Sequence, residues 1–158
     1  MPSITPYLWF DTQGLEAAEF YVSLFPNSEI TAVTHYGEGG PRPAGSVMTV
    51  EFTLDGCPYT ALNGGPEYTL DEAFSLQVVC ADQAEVDRYW EAFTANGGEK
   101  GRCGWCKDRF GVSWQVVPDG LGALLSDPDP GRASRAVQAM MTMSKLDLSA
   151  MRAAADAG

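Results

Sequence analysis

The sequence predicts an α+β chain built from two βαβββ modules followed by C-terminal helices. Three observations predict it. A strand, a helix and three further strands are readable in residues 3–65, and the same order returns in residues 72–120. Each half places an aspartate, Asp11 or Asp82, where its first strand meets its helix. Beyond Pro128 and Pro130 the pattern becomes helical, over residues 130–156. At 158 residues the chain, 1–158, reads as a single domain long enough to bury a real core. The halves share pattern, not sequence identity.

Ile4–Phe10 is strand-like and ends at Asp11-Thr12, either of which caps a helix. The helix then runs over Leu15–Phe25, with Ala17, Tyr21, Leu24 and Phe25 on one face, and Pro26-Asn27 stops it. Glu29–Tyr36 is the next strand, and the Gly- and Pro-rich residues 37–45 form a loop. Ser46–Leu54 alternates with Met48, Val50, Phe52 and Leu54 on one face. Asp55-Gly56 signals a hairpin, and Cys57–Asn63 is the returning strand.

In the second half, Phe74–Cys80 is a strand and Asp82 with Glu85 makes a capping box. Val86, Tyr89, Trp90 and Phe93 give the helix an apolar face, which Asn96-Gly97-Gly98 ends. Short strands follow near Glu99–Cys103 and Gly104–Lys107. A tight turn at Asp108-Arg109-Phe110-Gly111 leads into Val112–Pro118. That last strand sends Val112, Trp114 and Val116 to a dry core and Ser113, Gln115 and Val117 to the other face. In the tail, Ala133–Met143 is helical with Val137, Met140 and Met141 apolar, and Asp147 caps a last helix over Leu148–Ala155.

Hydrophobic content of 45% and charged content of 20% are ordinary for a globular protein. Twenty-one acidic against ten basic residues give a net charge of −11, which repels phosphate backbones and anionic membranes, so no nucleic-acid partner and no membrane partner is expected. No apolar run approaches the roughly 20 residues of a membrane-spanning helix. The first residues, MPSITPYLWFD, lack a basic start and a long apolar segment, and the expected compartment is cytoplasmic. Cys57, Cys80, Cys103 and Cys106 are expected as thiols there.

Cys103-Gly104-Trp105-Cys106 is a CxxC, but it falls at a strand junction rather than at a helix N-terminus, where reactive pairs sit. Residues three apart on a strand point to opposite faces. The pair reads as structural, with Cys103 on the same side as Trp105. The glycine pairs at 39–40, 64–65 and 97–98 match no phosphate-binding pattern and read as turns. With one histidine, His35, no Ser-His-Asp set is available.

Four segments carry a family resemblance: LWFDTQGLEAAEFYVSLFPNSEI, the LNGG of Leu62–Gly65, GWCKDRFGVSWQVVP and the tail AMMTMSKLDL. Together, from Ser3 to about Met151, they resemble the PhnB-like family. It is often labelled 3-demethylubiquinone-9 3-methyltransferase-like and belongs to the vicinal oxygen chelate superfamily with glyoxalase I, bleomycin-resistance proteins and extradiol dioxygenases. The resemblance implies the glyoxalase/bleomycin resistance/dioxygenase fold, a concave cavity and a homodimer. Under it, Ile4, Leu8 and Phe10 pack beneath the first helix and leave Thr5, Tyr7 and Trp9 for the cavity. Phe74, Leu76 and Val78 likewise pack and leave Ser75 and Gln77.

Metal-dependent members of the superfamily place His, Gln or Glu at four strand positions, which fall here near Thr5, Tyr59, Ser75 and Gln115. None of these is His, Asp or Glu, and Glu51 alone does not make a cage, so the expectation is no metal and no cofactor. The absence of a dinucleotide-type motif argues against a standard S-adenosylmethionine methyltransferase. Trp9, Trp105 and Tyr59 as aromatic walls, with Asn63, Ser75 and Gln115 as polar groups and Cys103 beside them, suit a small neutral or cationic organic ligand. The leading expectation is a metal-independent protein that binds a small organic molecule. The alternatives are a metal-dependent glyoxalase- or dioxygenase-like enzyme, a methyltransferase as the family label suggests, or a structural or regulatory dimer.

Overall fold

A computed structural model describes every residue of the chain, 1–158. The chain divides into two compact units, Met1–Leu70 and Asp71–Gly158.

The first unit runs β1 (Tyr7–Phe10), α1 (Gly14–Leu24), β2 (Glu29–His35), β3 (Val47–Leu54) and β4 (Cys57–Asn63). Its sheet has the order β1-β4-β3-β2, with β1 parallel to β4 and the other pairs antiparallel. Leu8, Phe10, Val50, Phe52, Leu54 and Ala61 are buried on one face, and α1 contributes Ala17, Ala18 and Tyr21. The Tyr21 ring lies 6.3 Å from that of Phe52. Asp55 and Gly56 both have positive φ, 48° and 76°, as a two-residue hairpin turn requires. The first strand is shorter than expected. Pro6, which has no N–H to give to a ladder, precedes it, and Ile4 is 93% exposed rather than packed under the helix.

The entry to α1 also differs from expectation. Neither Asp11 nor Thr12 caps it; the N-cap position is Gln13, whose side chain makes no capping bond. Instead Asn63 Oδ1, from the end of β4, accepts the Gly14 N–H at 2.7 Å, and Asn63 Nδ2 donates to the Val47 carbonyl at 3.2 Å. Asp11 pairs with Arg42 at 3.2 Å.

The second unit repeats the layout with β5 (Ser75–Cys80), α2 (Gln83–Thr94), β6 (Glu99–Lys100), β7 (Trp105–Lys107) and β8 (Ser113–Pro118), in the order β5-β8-β7-β6. Asp82 accepts the Glu85 N–H at 2.9 Å, and Glu85 Oε2 accepts the Ala81 N–H at 2.8 Å. Val86, Tyr89, Trp90 and Phe93 are buried, and the Phe93 ring stacks on Trp114 at 4.3 Å. Val112, Trp114 and Val116 are buried as the alternation requires. Phe74 lies outside β5 and is 42% exposed, so it does not pack as expected.

The turn before β8 is organised by one carboxylate. Asp108 is 3% exposed. Its Oδ1 accepts the N–H groups of Phe110 and Val112 at 2.9 and 3.1 Å, and its Oδ2 accepts the Trp114 indole N–H at 2.8 Å.

The tail forms α3 (Leu121–Leu125), α4 (Pro130–Met141) and α5 (Leu148–Asp156). Pro130 opens α4 instead of breaking the chain, because the first helical turn has no use for its missing N–H and Asp129 caps it. Ala136, rather than Val137 or Met141, is the residue α4 buries. Leu124, Ala136, Leu146, Met151 and Ala155 form the tail's own apolar cluster. The segment between α4 and α5 docks on the loop before β7 and on the start of α2. The Cys103 and Gly104 N–H groups donate to the carbonyls of Met143 and Ser144 at 2.9 and 2.8 Å, and Gln83 Nε2 donates to the Leu146 carbonyl at 3.0 Å.

Candidate functional site

Residues facing each other across strands share a face of the sheet, so the pairing register decides which side chains lie opposite the helices. In the first unit Tyr7 lies beside Thr60, and Thr60 beside Glu51, in one row on the face away from α1. The next row holds Trp9, Leu62, Thr49 and Thr34. Tyr7 is 61% exposed, Glu51 is exposed and Thr60 is buried. Thr5 is half-buried ahead of the strand. Trp9 is held on two sides: its indole N–H donates to the Gly65 carbonyl at 2.9 Å, and its ring lies nearly perpendicular to that of Tyr68, with centroids 4.9 Å apart. A Cβ on Gly64 would stand 2.3 Å from the Trp9 ring, which is why glycine occupies that position of the LNGG segment.

Two residues expected on this face lie on the other. Tyr59 is opposite Phe52 and stacks on it at 5.7 Å, on the helix side. Burial and the nearby Cys57 raise the pKa of its phenol. Asn63 faces the same way, with both ends of its amide committed to Gly14 and Val47. The register points to Thr60 instead. The signal was in the sequence: counting outward from the two-residue Asp55-Gly56 turn sets Tyr59 opposite Phe52, already assigned to the core.

In the second unit Ser75, Gln77, Ser113, Gln115, Trp105 and Lys107 share the face away from α2. Gln115 Nε2 donates to Ser75 Oγ at 2.9 Å, and Gln77 Nε2 approaches Gln115 Oε1 at 3.5 Å. These three expected residues are therefore brought together as a chain of neutral polar groups. Trp105 is half-buried opposite Gln115.

Cys103 departs from expectation. It lies outside β7 with a positive φ of 55°, and its thiol faces the tail, 3.6 Å from the Met140 carbonyl and 3.8 Å from Met141 Sδ. Cys106, its CxxC neighbour, is buried, and burial with Asp108 nearby pushes its pKa up to about 12, so it is a poor nucleophile.

The side chains do not suit a divalent cation. Gln115 offers an amide already engaged with Ser75, the row beside Glu51 holds Ala32, Thr60 and Tyr7, and no three His, Cys, Asp or Glu side chains converge. His35 is exposed at the end of β2. Sequence reasoning missed Ser113, Lys107 and Glu72, which lie together where β7 ends and β8 begins. Lys107 Nζ contacts Glu72 Oε1 at 2.6 Å, while Ser113 is 2% exposed and its hydroxyl finds no protein partner.

Two mixed four-stranded sheets of identical order, each with one helix on a face, define the glyoxalase/bleomycin-resistance type of fold. Within it, the chain belongs to the 3-demethylubiquinone-9 3-methyltransferase (PhnB-like) family, whose model matches residues 2–117. The tail lies outside that match.

A putative 3-demethylubiquinone-9 3-methyltransferase, the PhnB protein of Bacillus cereus, is 32% identical over 74% of this chain and 99% of its own, with a TM-score of 0.67. A protein of Pseudomonas aeruginosa is 24% identical over 75% of this chain and 98% of its own, with a TM-score of 0.61. The fosfomycin resistance protein FosX of Listeria monocytogenes, in a mutant complexed with manganese(II) and a dihydroxypropylphosphonic acid, shares the fold. It has 14% identity over 74% of this chain and 92% of its own, and a TM-score of 0.52. A search of curated proteins gives no match.

Proposed function

We propose that this protein binds a small organic molecule, without a metal, on the sheet faces turned away from its helices. The observation that carries this reading is the Ser75–Gln115–Gln77 chain. In it, Ser75 and Gln115, two uncharged hydrogen-bonding groups, stand where the resemblance implies that metal-dependent relatives place metal ligands, and Gln77 extends the chain. Such groups orient a ligand through directional bonds and supply no charge to hold a cation. The strand-to-helix junctions give no support to the transferase label: neither carries the glycine-rich turn of a dinucleotide-type cofactor site. The same reading takes the protein to be a cytoplasmic homodimer.

A thermal-shift screen over aromatic, cationic and quinone-like compounds tests the binding. A ligand held by the native state alone raises the melting temperature as its concentration grows. Metal analysis of protein purified without chelators is expected to give far less than one equivalent of zinc, nickel, iron or manganese. Near-stoichiometric metal that resists dialysis restores the glyoxalase- or dioxygenase-like alternative.

A further inference from the structure

Lys107 and Ser113 are directly opposed across β7 and β8, so their side chains rise side by side from the same face of the sheet. Both line a cleft of about 90 Å³ with Glu72, Glu99, Lys100, Gly101, Trp105 and Cys106. Ser113 is almost fully enclosed there, and its Oγ has no hydrogen-bond partner from the protein. A buried hydroxyl left unpaired costs roughly 1–3 kcal/mol, so retaining one at the wall of a cleft points to a partner from outside.

The ion pair above it is lopsided. Lys107 rises from a strand with 26% of its side chain exposed, whereas Glu72 lies ahead of β5 with 67% exposed. Glu72 is the member that leaves at little cost, since exposed ion pairs are worth about 0–1 kcal/mol. Its carboxylate holds the ammonium that an incoming acid would seek.

We propose that this cleft takes the carboxylate of a small organic acid, which displaces Glu72 from Lys107 and accepts the Ser113 hydroxyl hydrogen. The inference rests on the binding function above and names its ligand class. It replaces the neutral or cationic ligand expected from an aromatic box, which Tyr59 leaves by facing the helix. No bond is made or broken: one carboxylate exchanges for another at the same ammonium, and Glu72 turns to water. Glu99 faces Lys107 from β6, and Glu99 and Asp71 both act on its ammonium, so the incoming carboxylate competes with them as well as with Glu72. Trp105 offers an apolar wall for the remainder of the acid. The cleft is small, so the part it encloses is a carboxylate with a short carbon stem behind it.

The test is an NMR titration of the full chain with acetate, at ionic strength held constant with chloride, with acetamide as the uncharged comparison. Acetate is expected to move the Lys107 and Ser113 signals saturably, and acetamide to leave them in place. Glu72→Gln removes the internal competitor and is expected to tighten acetate binding by roughly two- to fivefold. Ser113→Ala is expected to weaken it by roughly fivefold without lowering the melting temperature, since the lost hydroxyl was unpaired.

Acetate that leaves both residues unmoved overturns the proposal, as does equal affinity in wild type, Glu72→Gln and Ser113→Ala. If acetate fails while a screened compound moves Ser75 and Gln115 signals, the carboxylate inference falls and the binding function stands. If acetate behaves as expected while no screened compound binds, the cleft stands and the wider ligand surface falls.

Discussion

The two modules share one strand order and hold it together by different means. In the first, β2 and β3 are seven and eight residues long, and the hairpin of β3 and β4 closes through a two-residue turn whose N–H groups donate to Ser28 Oγ and to the Asn27 carbonyl, each at 3.0 Å. In the second, β6 and β7 have two and three residues, and little ladder is left to hold them. There the turn is built around a buried carboxylate, and the tail adds backbone bonds to Cys103 and Gly104. The topology is repeated, while the reinforcement follows the local length of strand. Where pairing is short, polar side chains and an added helical tail take over.

The largest effect that would break this comparison is at Asp108. Asp108→Ala strands three donors, two of them backbone N–H groups and one the Trp114 indole, and is expected to cost about 3 kcal/mol or more. Its counterpart at the other hairpin, Asp55→Ala, loses only the ease with which Asp takes a positive φ, and is expected to cost about 1 kcal/mol. Urea unfolding of both variants measures the pair. Equal costs would mean that Asp108 is no keystone and that the second module rests on its apolar core.

A smaller contrast lies at the helix entries. Asn63→Ala leaves the buried Gly14 N–H and the Val47 carbonyl without their partner, for about 2 kcal/mol. Asp82→Ala removes a cap that is exposed to water, for about 1 kcal/mol. The same urea experiment ranks them. A costlier Asp82→Ala would show that the long-range cap is the weaker one.

That contrast also marks what was legible in the sequence. Strand and helix order in both modules followed from periodicity, and so did the buried faces of α2, β3 and β8, because each is set by neighbours a few residues apart. Asp82 was readable because its capping box is local. Asn63 was not, since it acts on a residue 49 positions earlier, and no local pattern encodes a cap delivered from another strand. Ile4 and Phe74 were overextended because alternation persists past the point where Pro6 and the loop before β5 end the pairing. Of the candidate site, Ser75, Gln77 and Gln115 were placed on one face by alternation, and the register puts them there. Ser113 lay on the same alternating face, yet its unpaired hydroxyl appears only once Lys107 and Glu72 are placed around it.

The smallest expected effect concerns titration, and it separates the modules again. The second buries two thiols. Cys106 is pushed up to about 12 by burial and by Asp108, and Cys80 to about 11 by burial and then by Glu85. Each holds its proton more tightly in the folded than in the unfolded chain, where the usual value is 9.0. Their contribution is therefore complete below pH 9 and is lost as pH rises through 11 and 12. In the first module only the Tyr59 phenol is raised in this way, and Cys57 is exposed. Alkylation of native protein near pH 8 is expected to label Cys57 first and to spare Cys80 and Cys106. A Cys80→Ala/Cys106→Ala variant is expected to lose stability less steeply than wild type above pH 9, with the Tyr59 part remaining. An unchanged slope would place the alkaline weakness in the first module, and rapid labelling of Cys106 would show that the short β7 strand opens far more readily than its buried side chains imply.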